Sequence, residues 1–123
     1  NCVAPRTRLL EVATTEEEDP VLDGLRNDAA MRSVWIAAGS LAVRTGDADG
    51  RLANRSFLLA PDGTIAARYD KIHMFDVDVS QAETWRESQS FRPGDRAVVA
   101  RTPLGALGLT VCYDLRFPHL HRA

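Results

Sequence analysis

Long apolar runs are missing from this 123-residue chain. None approaches the roughly 20 residues that a membrane-spanning helix needs, so a transmembrane reading is excluded. Residues 1–10 carry Pro5, Arg6 and Arg8 where the apolar core of a signal peptide would lie. Cysteine is scarce: the chain has only Cys2 and Cys112. A small secreted domain stapled by disulfides carries more, so a reducing, cytoplasmic setting is expected and a Cys2–Cys112 bridge is not. Neither sign of charge dominates, with 15 Lys and Arg against 17 Asp and Glu. The basic residues are scattered singly, which argues against a nucleic-acid partner. His73, His119 and His121 form no zinc-ligand spacing with Cys112, and Asp47–Gly50 lacks the remaining ligands of a calcium loop. No metal and no cofactor is expected.

What remains is an ordinary globular composition, 45% hydrophobic and 26% charged, with no internal repeats. Residues 1–15 show no clean period and read as a loop or the tail of an element. Asp19 and Pro20 have the chemistry of a helix cap and first turn, and the acids Glu16–Glu18 read as a solvated helix start. Leu22, Leu25 and Ala29 then give one apolar face, so a helix is predicted to about Arg32. The run 34–43 is almost wholly apolar and reads as a strand buried on both faces. Residues 55–60 and 65–71 are predicted to pair antiparallel across the Ala60–Thr64 turn. From Ile72 to Asp95 no period is sustained, and so long an irregular stretch inside a domain tends to be functional. Strands are predicted at 97–102 and 107–112, followed by a helix begun at Pro118.

The second of those strands delivers Cys112 into a Tyr-Asp-Leu-Arg-Phe-Pro turn. A nucleophile on a strand–turn–helix elbow is held rigidly, with backbone N–H groups pointing at the same space. Those groups are what an oxyanion needs. A thiol is only a few per cent ionised at neutral pH, so a base or a cation must stand beside it. Lys71, at the end of the hairpin, is the candidate cation. Asp76, Asp78 and Glu87 are candidate bases or orienting acids, and spacing alone does not choose among them. Phe75, Trp85 and Phe117 are candidates to line a pocket, and Arg116 to pair with a carboxylate, that of Asp114 or of a ligand.

The stretches RYDKIHMFDVDV, RESQSFRPGD and GLTVCYDLRFP, in that order, resemble the nitrilase or carbon–nitrogen hydrolase superfamily. Within it they are most similar to the Nit branch of amidases, which act on deaminated glutathione and on ω-amides of 2-oxo acids. AGSL before the hairpin and NRSFLLAPDG across it fit the same branch, so the likeness covers residues 34–123. It implies an α/β fold, the four-layer αββα sandwich, commonly as a homodimer. It also implies a Glu–Lys–Cys triad with a second glutamate. Cys112 becomes the nucleophile that forms a thioester with a small-molecule amide substrate. Lys71, with the backbone N–H of Tyr113, becomes the oxyanion stabiliser, and Glu87 takes the place of the second glutamate. Phe75 and Arg116 fall beside the substrate pocket.

The departure from the family pattern is its general-base glutamate, which lies on an early strand in a Pro-Glu context. No Pro-Glu occurs here. Glu11 and Glu16–Glu18 are not promoted to that role. The expectation is therefore a central portion of one longer domain, truncated at both ends, and inactive and marginally soluble in isolation. Two other functions stay open: a non-catalytic binding paralogue of the same fold, and acyl transfer from the thioester to an amine in place of water.

Overall fold

The computed structural model describes residues 6–80 and 84–122. Cys2, and with it any pairing to Cys112, lies outside the described residues. The helix α2 spans Pro20–Arg32. Asp19 caps it as its sequence dictates, its carboxylate accepting the backbone N–H groups of Val21 and Leu22 at 2.9 Å each. Leu22 and Ala29 are buried, and with Leu25 they pack on Ala38, Val43, Phe57 and Leu59 of the sheet beneath. Ser33, with a left-handed backbone (φ 52°), ends the helix.

That sheet is antiparallel, with strand order β1 (Ile36–Arg44), β2 (Leu52–Leu59) and β3 (Ile65–Asp70). The turn of the β2–β3 hairpin closes through Gly63, whose N–H reaches the Ala60 carbonyl at 2.9 Å. Only glycine fits there: φ is +81°, and an added Cβ would stand 2.8 Å from the Arg26 carbonyl oxygen on α2. The predicted hairpin is thus present and docked on the helix. β2 is buried along almost its whole length. β1 is not the doubly buried strand expected. Ala37, Gly39 and Arg44 are exposed: Ala37 and Gly39 face an open cavity that no described element fills, and the register shifts between Ala38 and Leu41.

Of the two readings of residues 1–15, a loop or part of an element, residues 6–12 take the second. Arg6–Val12 form a short helix, α1, whose Leu9, with Ala13 just beyond it, packs on Leu52. Two buried positions give too little period to read from sequence. The stretch after Ile72 contains a small antiparallel ribbon, β4 (Asp76–Asp78) with β5 (Thr84–Arg86). A 3₁₀ turn follows at Glu87–Gln89, then a short strand β6 (Phe91–Arg92) that runs parallel to the start of β2.

The last predicted strand is displaced. β7 (Val99–Thr102) and β8 (Gly105–Gly108) form a hairpin across Pro103–Leu104, with Gly105 at φ 125°. That tight turn sets β8 to begin early, so residues 109–111 continue past it and bury Leu109 and Val111 against Tyr69. Cys112 sits not at a strand end but as the first residue of a 3₁₀ turn, Cys112–Arg116. Beyond Pro118 the expected helix is reduced to another 3₁₀ turn, Leu120–Arg122. The α/β class stands: α2 covers one face of the sheet, and the chain from Val98 to Leu120 packs on the other, so this chain holds part of a layered sandwich.

Candidate active site

Alternation along β3 places Tyr69 on the face of the sheet away from α2, and Lys71 follows two residues later. Lys71 is only 2% exposed. It is therefore not the surface lysine that its residue type favours, and a buried ammonium needs a partner. Glu87 provides it through an ion pair. The β4–β5 ribbon explains how a glutamate sixteen residues away arrives: it carries the chain out and back, so Asp76 faces Arg86 and Glu87 comes next. The Glu87 carboxylate is further held by the Phe75 N–H at 2.7 Å and by Asn54 Nδ2 at 3.0 Å. Of the three acids left open by sequence, Glu87 alone pairs with Lys71. Asp76 accepts the Ser88 N–H at 3.0 Å, and Asp78 pairs with Arg86.

Cys112 is exposed and has φ 50°, a left-handed backbone that non-glycine residues rarely adopt. Such strain costs on the order of 1–3 kcal/mol and persists only where the surroundings over-determine it. Here Asp114 does so. Fully buried, its carboxylate accepts the Tyr69 hydroxyl (2.6 Å), the His73 N–H (2.9 Å) and the Val111 N–H (3.0 Å), and meets His73 Nδ1 at 2.7 Å. Burial pushes the Asp114 carboxyl upward, but these hydrogen bonds outweigh it and hold it below the ordinary range. Burial, then the bond to Asp114, pushes the Tyr69 hydroxyl well above its usual value.

Tyr69 and His73 flank Lys71 in sequence, and Asp114 lies two residues beyond Cys112. One buried carboxylate therefore ties the segment bearing the cation to the turn bearing the thiol. Rings close the same junction. His73 stacks on Phe117 at 3.6 Å between centroids, while Tyr113 meets Phe75 and Phe117 edge to face at 5.1 Å each. A cavity of about 440 Å³ opens beside Cys112, lined by Ala37–Ser40 of β1, Ser56 and Phe57 of β2, and Leu107–Val111. The structure thus brings Lys71, Glu87 and Phe75 together and links Tyr113 and Cys112 to them. Arg116 is exposed, and the partners of Asp114 are Tyr69, His73 and Val111 in its place. Trp85 stands exposed on β5.

Sequence reasoning passed over Asn54, Tyr69 and Gly94. Gly94 supports the back of Lys71, its N–H reaching the Lys71 carbonyl at 2.8 Å. Glu16, read as part of a solvated helix start, is drawn in by arginines on the helix side of the sheet. It bonds Arg68 at 2.7 Å and Arg55 at 3.1 Å, and Arg55 also grips Asp70 at 2.6 and 3.0 Å. The bond from Arg68 is the main reason that the Glu16 carboxyl lies below its usual range.

A mixed α/β scaffold with a buried ammonium–carboxylate pair, wired to an exposed thiol on a strained turn, has the parts for covalent chemistry at a carbonyl. The chain belongs to the carbon-nitrogen hydrolase family, whose model matches residues 2–123. It is 42% identical over 112 residues to the deaminated glutathione amidase of Yersinia enterocolitica, covering 90% of this chain and 39% of that one. To the human omega-amidase NIT2 it is 42% identical over 88 residues, 72% of this chain and 31% of that one. The crystal structure of the C. elegans NitFhit protein superposes with a TM-score of 0.78 at 27% identity, over 94% of this chain and 28% of that chain. The chain therefore spans less than half the length of these relatives.

Proposed function

We propose that this chain is the central portion of a cysteine-dependent amidase. Its reaction is hydrolysis of a non-peptide amide C–N bond in a small carboxylated amide such as deaminated glutathione. The observation that carries the reading is the single carboxylate, Asp114, bonded both to the residues flanking Lys71 and to the turn of Cys112.

In this reading the Cys112 thiolate attacks the amide carbonyl carbon and forms the C–S bond. The developing alkoxide is met by the Lys71 ammonium and the Tyr113 N–H, donors fixed before the reaction begins. Collapse breaks the C–N bond, and the amine leaves with a proton. Water then attacks the thioester, the C–S bond breaks, and a carboxylic acid and the thiol are released. Glu87 holds Lys71 in place, and the family resemblance assigns Phe75, Tyr113 and Arg116 to the substrate side of the site. In this reading the proton acceptor is a glutamate from an earlier strand of the parent, as the family resemblance implies. General-base help is worth about 10²–10⁴-fold, so the 123-residue piece alone is expected to be inactive. The reaction calls for no cofactor.

A second substrate class, the ω-amides of 2-oxo acids, is supported by the similarity to the human omega-amidase. The test is the full-length parent with and without Cys112→Ala, assayed for 2-oxoglutarate release from deaminated glutathione and from 2-oxoglutaramate. Release that vanishes in the alanine variant supports the proposal, and the preferred amide selects the branch. A folded parent with no release from either amide would sink it.

A further inference from the structure

Asn54 lies in the middle of β2, 2% exposed, among the buried apolar residues Leu52, Ala53, Phe57, Leu58 and Leu59. Packing alone would put another aliphatic side chain there. Asn54 instead touches both members of the buried ion pair. Its main-chain carbonyl accepts the Lys71 N–H at 2.9 Å, and its side-chain Nδ2 donates to Glu87 Oε1 at 3.0 Å. The other carboxylate oxygen, Oε2, takes the Lys71 ammonium and the Phe75 N–H. The amide orientation is dictated by chemistry, since Oδ1 turned toward a carboxylate would repel it. Oδ1 is consequently left buried and without a partner among the described residues, an energetically unfavourable state that packing cannot account for.

We propose that Asn54 is the positioning residue that fixes Glu87, and through it the direction in which Lys71 presents its ammonium. This rests on the role given above to the Lys71–Glu87 pair. A carboxylate offers two oxygens, and an ammonium three protons. With Oε1 committed to Asn54, the ammonium is confined to Oε2, and its remaining protons point away from Glu87. Without that donor, Glu87 rotates and the ammonium follows it. A group that must meet an oxyanion within a few tenths of an ångström then arrives misplaced.

The experiment uses the full-length enzyme and four variants: Asn54→Leu, Asn54→Asp, Glu87→Gln, and Asn54→Asp combined with Glu87→Gln. Asn54→Leu keeps the volume and removes the donor. It is expected to lower kcat about a hundredfold with KM little changed and Tm close to the wild type. Asn54→Asp sets carboxylate against carboxylate and lowers both Tm and kcat. Adding Glu87→Gln restores a hydrogen bond with the donor on the other side, so Tm recovers while kcat stays low. A folded Asn54→Leu enzyme with wild-type kcat overturns the proposal, as does a loss confined to Tm and KM. Independent, additive Tm shifts for the Asn54→Asp and Glu87→Gln changes overturn it too. If the wild type hydrolyses no amide, the functional reading fails, while the Tm coupling still reports whether Asn54 holds Glu87.

Discussion

Gly94→Ala adds one methyl group at the back of the candidate site, and the structure gives its consequence. The new Cβ would lie 2.2 Å from the Asp70 carbonyl oxygen and 2.9 Å from the carbonyl carbon. Ordinary contact begins near 3.4 Å, so one backbone must retreat from the other by about 1 Å. Neither is free to do so. Asp70 ends β3 and is gripped by Arg55, while the Gly94 N–H holds the Lys71 carbonyl at 2.8 Å. Overpacking of this kind together with the lost hydrogen bond costs about 2–4 kcal/mol. The displacement falls on Lys71, and a 1 Å misplacement of a reacting group costs about 10²-fold. The assay is urea unfolding of the full-length variant and wild type, alongside kcat for amide hydrolysis. A variant equal to the wild type in both would refute the close approach of Gly94 to β3 and the importance given to it.

Asp114→Asn replaces one accepting oxygen by a donor inside a pocket of donors, and should cost about 3 kcal/mol in unfolding free energy. Because the Asp114 carboxyl lies below its ordinary range when folded, its contribution is present at neutral pH and is lost as pH falls through the carboxylate range. The wild type should therefore lose stability below about pH 4, and a pH series of unfolding midpoints should show a shallower acid decline in the asparagine variant. Raised Tyr69 acts at the other limb: its contribution is complete below about pH 10 and is lost above it, a decline that Tyr69→Phe should remove. Lys71→Met leaves Glu87, 15% exposed, without its cation. This should destabilise the protein by about 3–5 kcal/mol and abolish turnover, and adding Glu87→Gln should return much of the stability and none of the activity.

The parts legible in the sequence were those fixed locally. Asp19 and Pro20 announce α2 because a cap and an N1 proline act within their own turn. The Pro61-Asp62-Gly63 turn announces the β2–β3 hairpin because Gly63 meets a left-handed backbone. What escaped was set by tertiary partners. β4 and β5 are three residues each, too short for a period, and their purpose shows only once Glu87 reaches Lys71. The strand expected at 107–112 was read from apolar content, whereas the Pro103–Leu104 turn sets the pairing and leaves 109–111 as packing. Asn54 entered the sequence reading only as part of the NRSFLLAPDG stretch, with no role of its own: an asparagine in a strand reads as a defect until the glutamate that it holds is seen. Lys71 and Cys112 stood out through motif order, and their burial and backbone strain required coordinates.

The central claim is that Cys112 carries the acyl group. The most direct test is intact-protein and peptide mass spectrometry of the full-length enzyme, acid-quenched during turnover of a carboxylated amide. The account predicts a mass increase equal to the acyl group on the peptide containing Cys112, removed by hydroxylamine and absent in Cys112→Ala. Turnover that persists in Cys112→Ala, or an acyl group found on another residue, would contradict it.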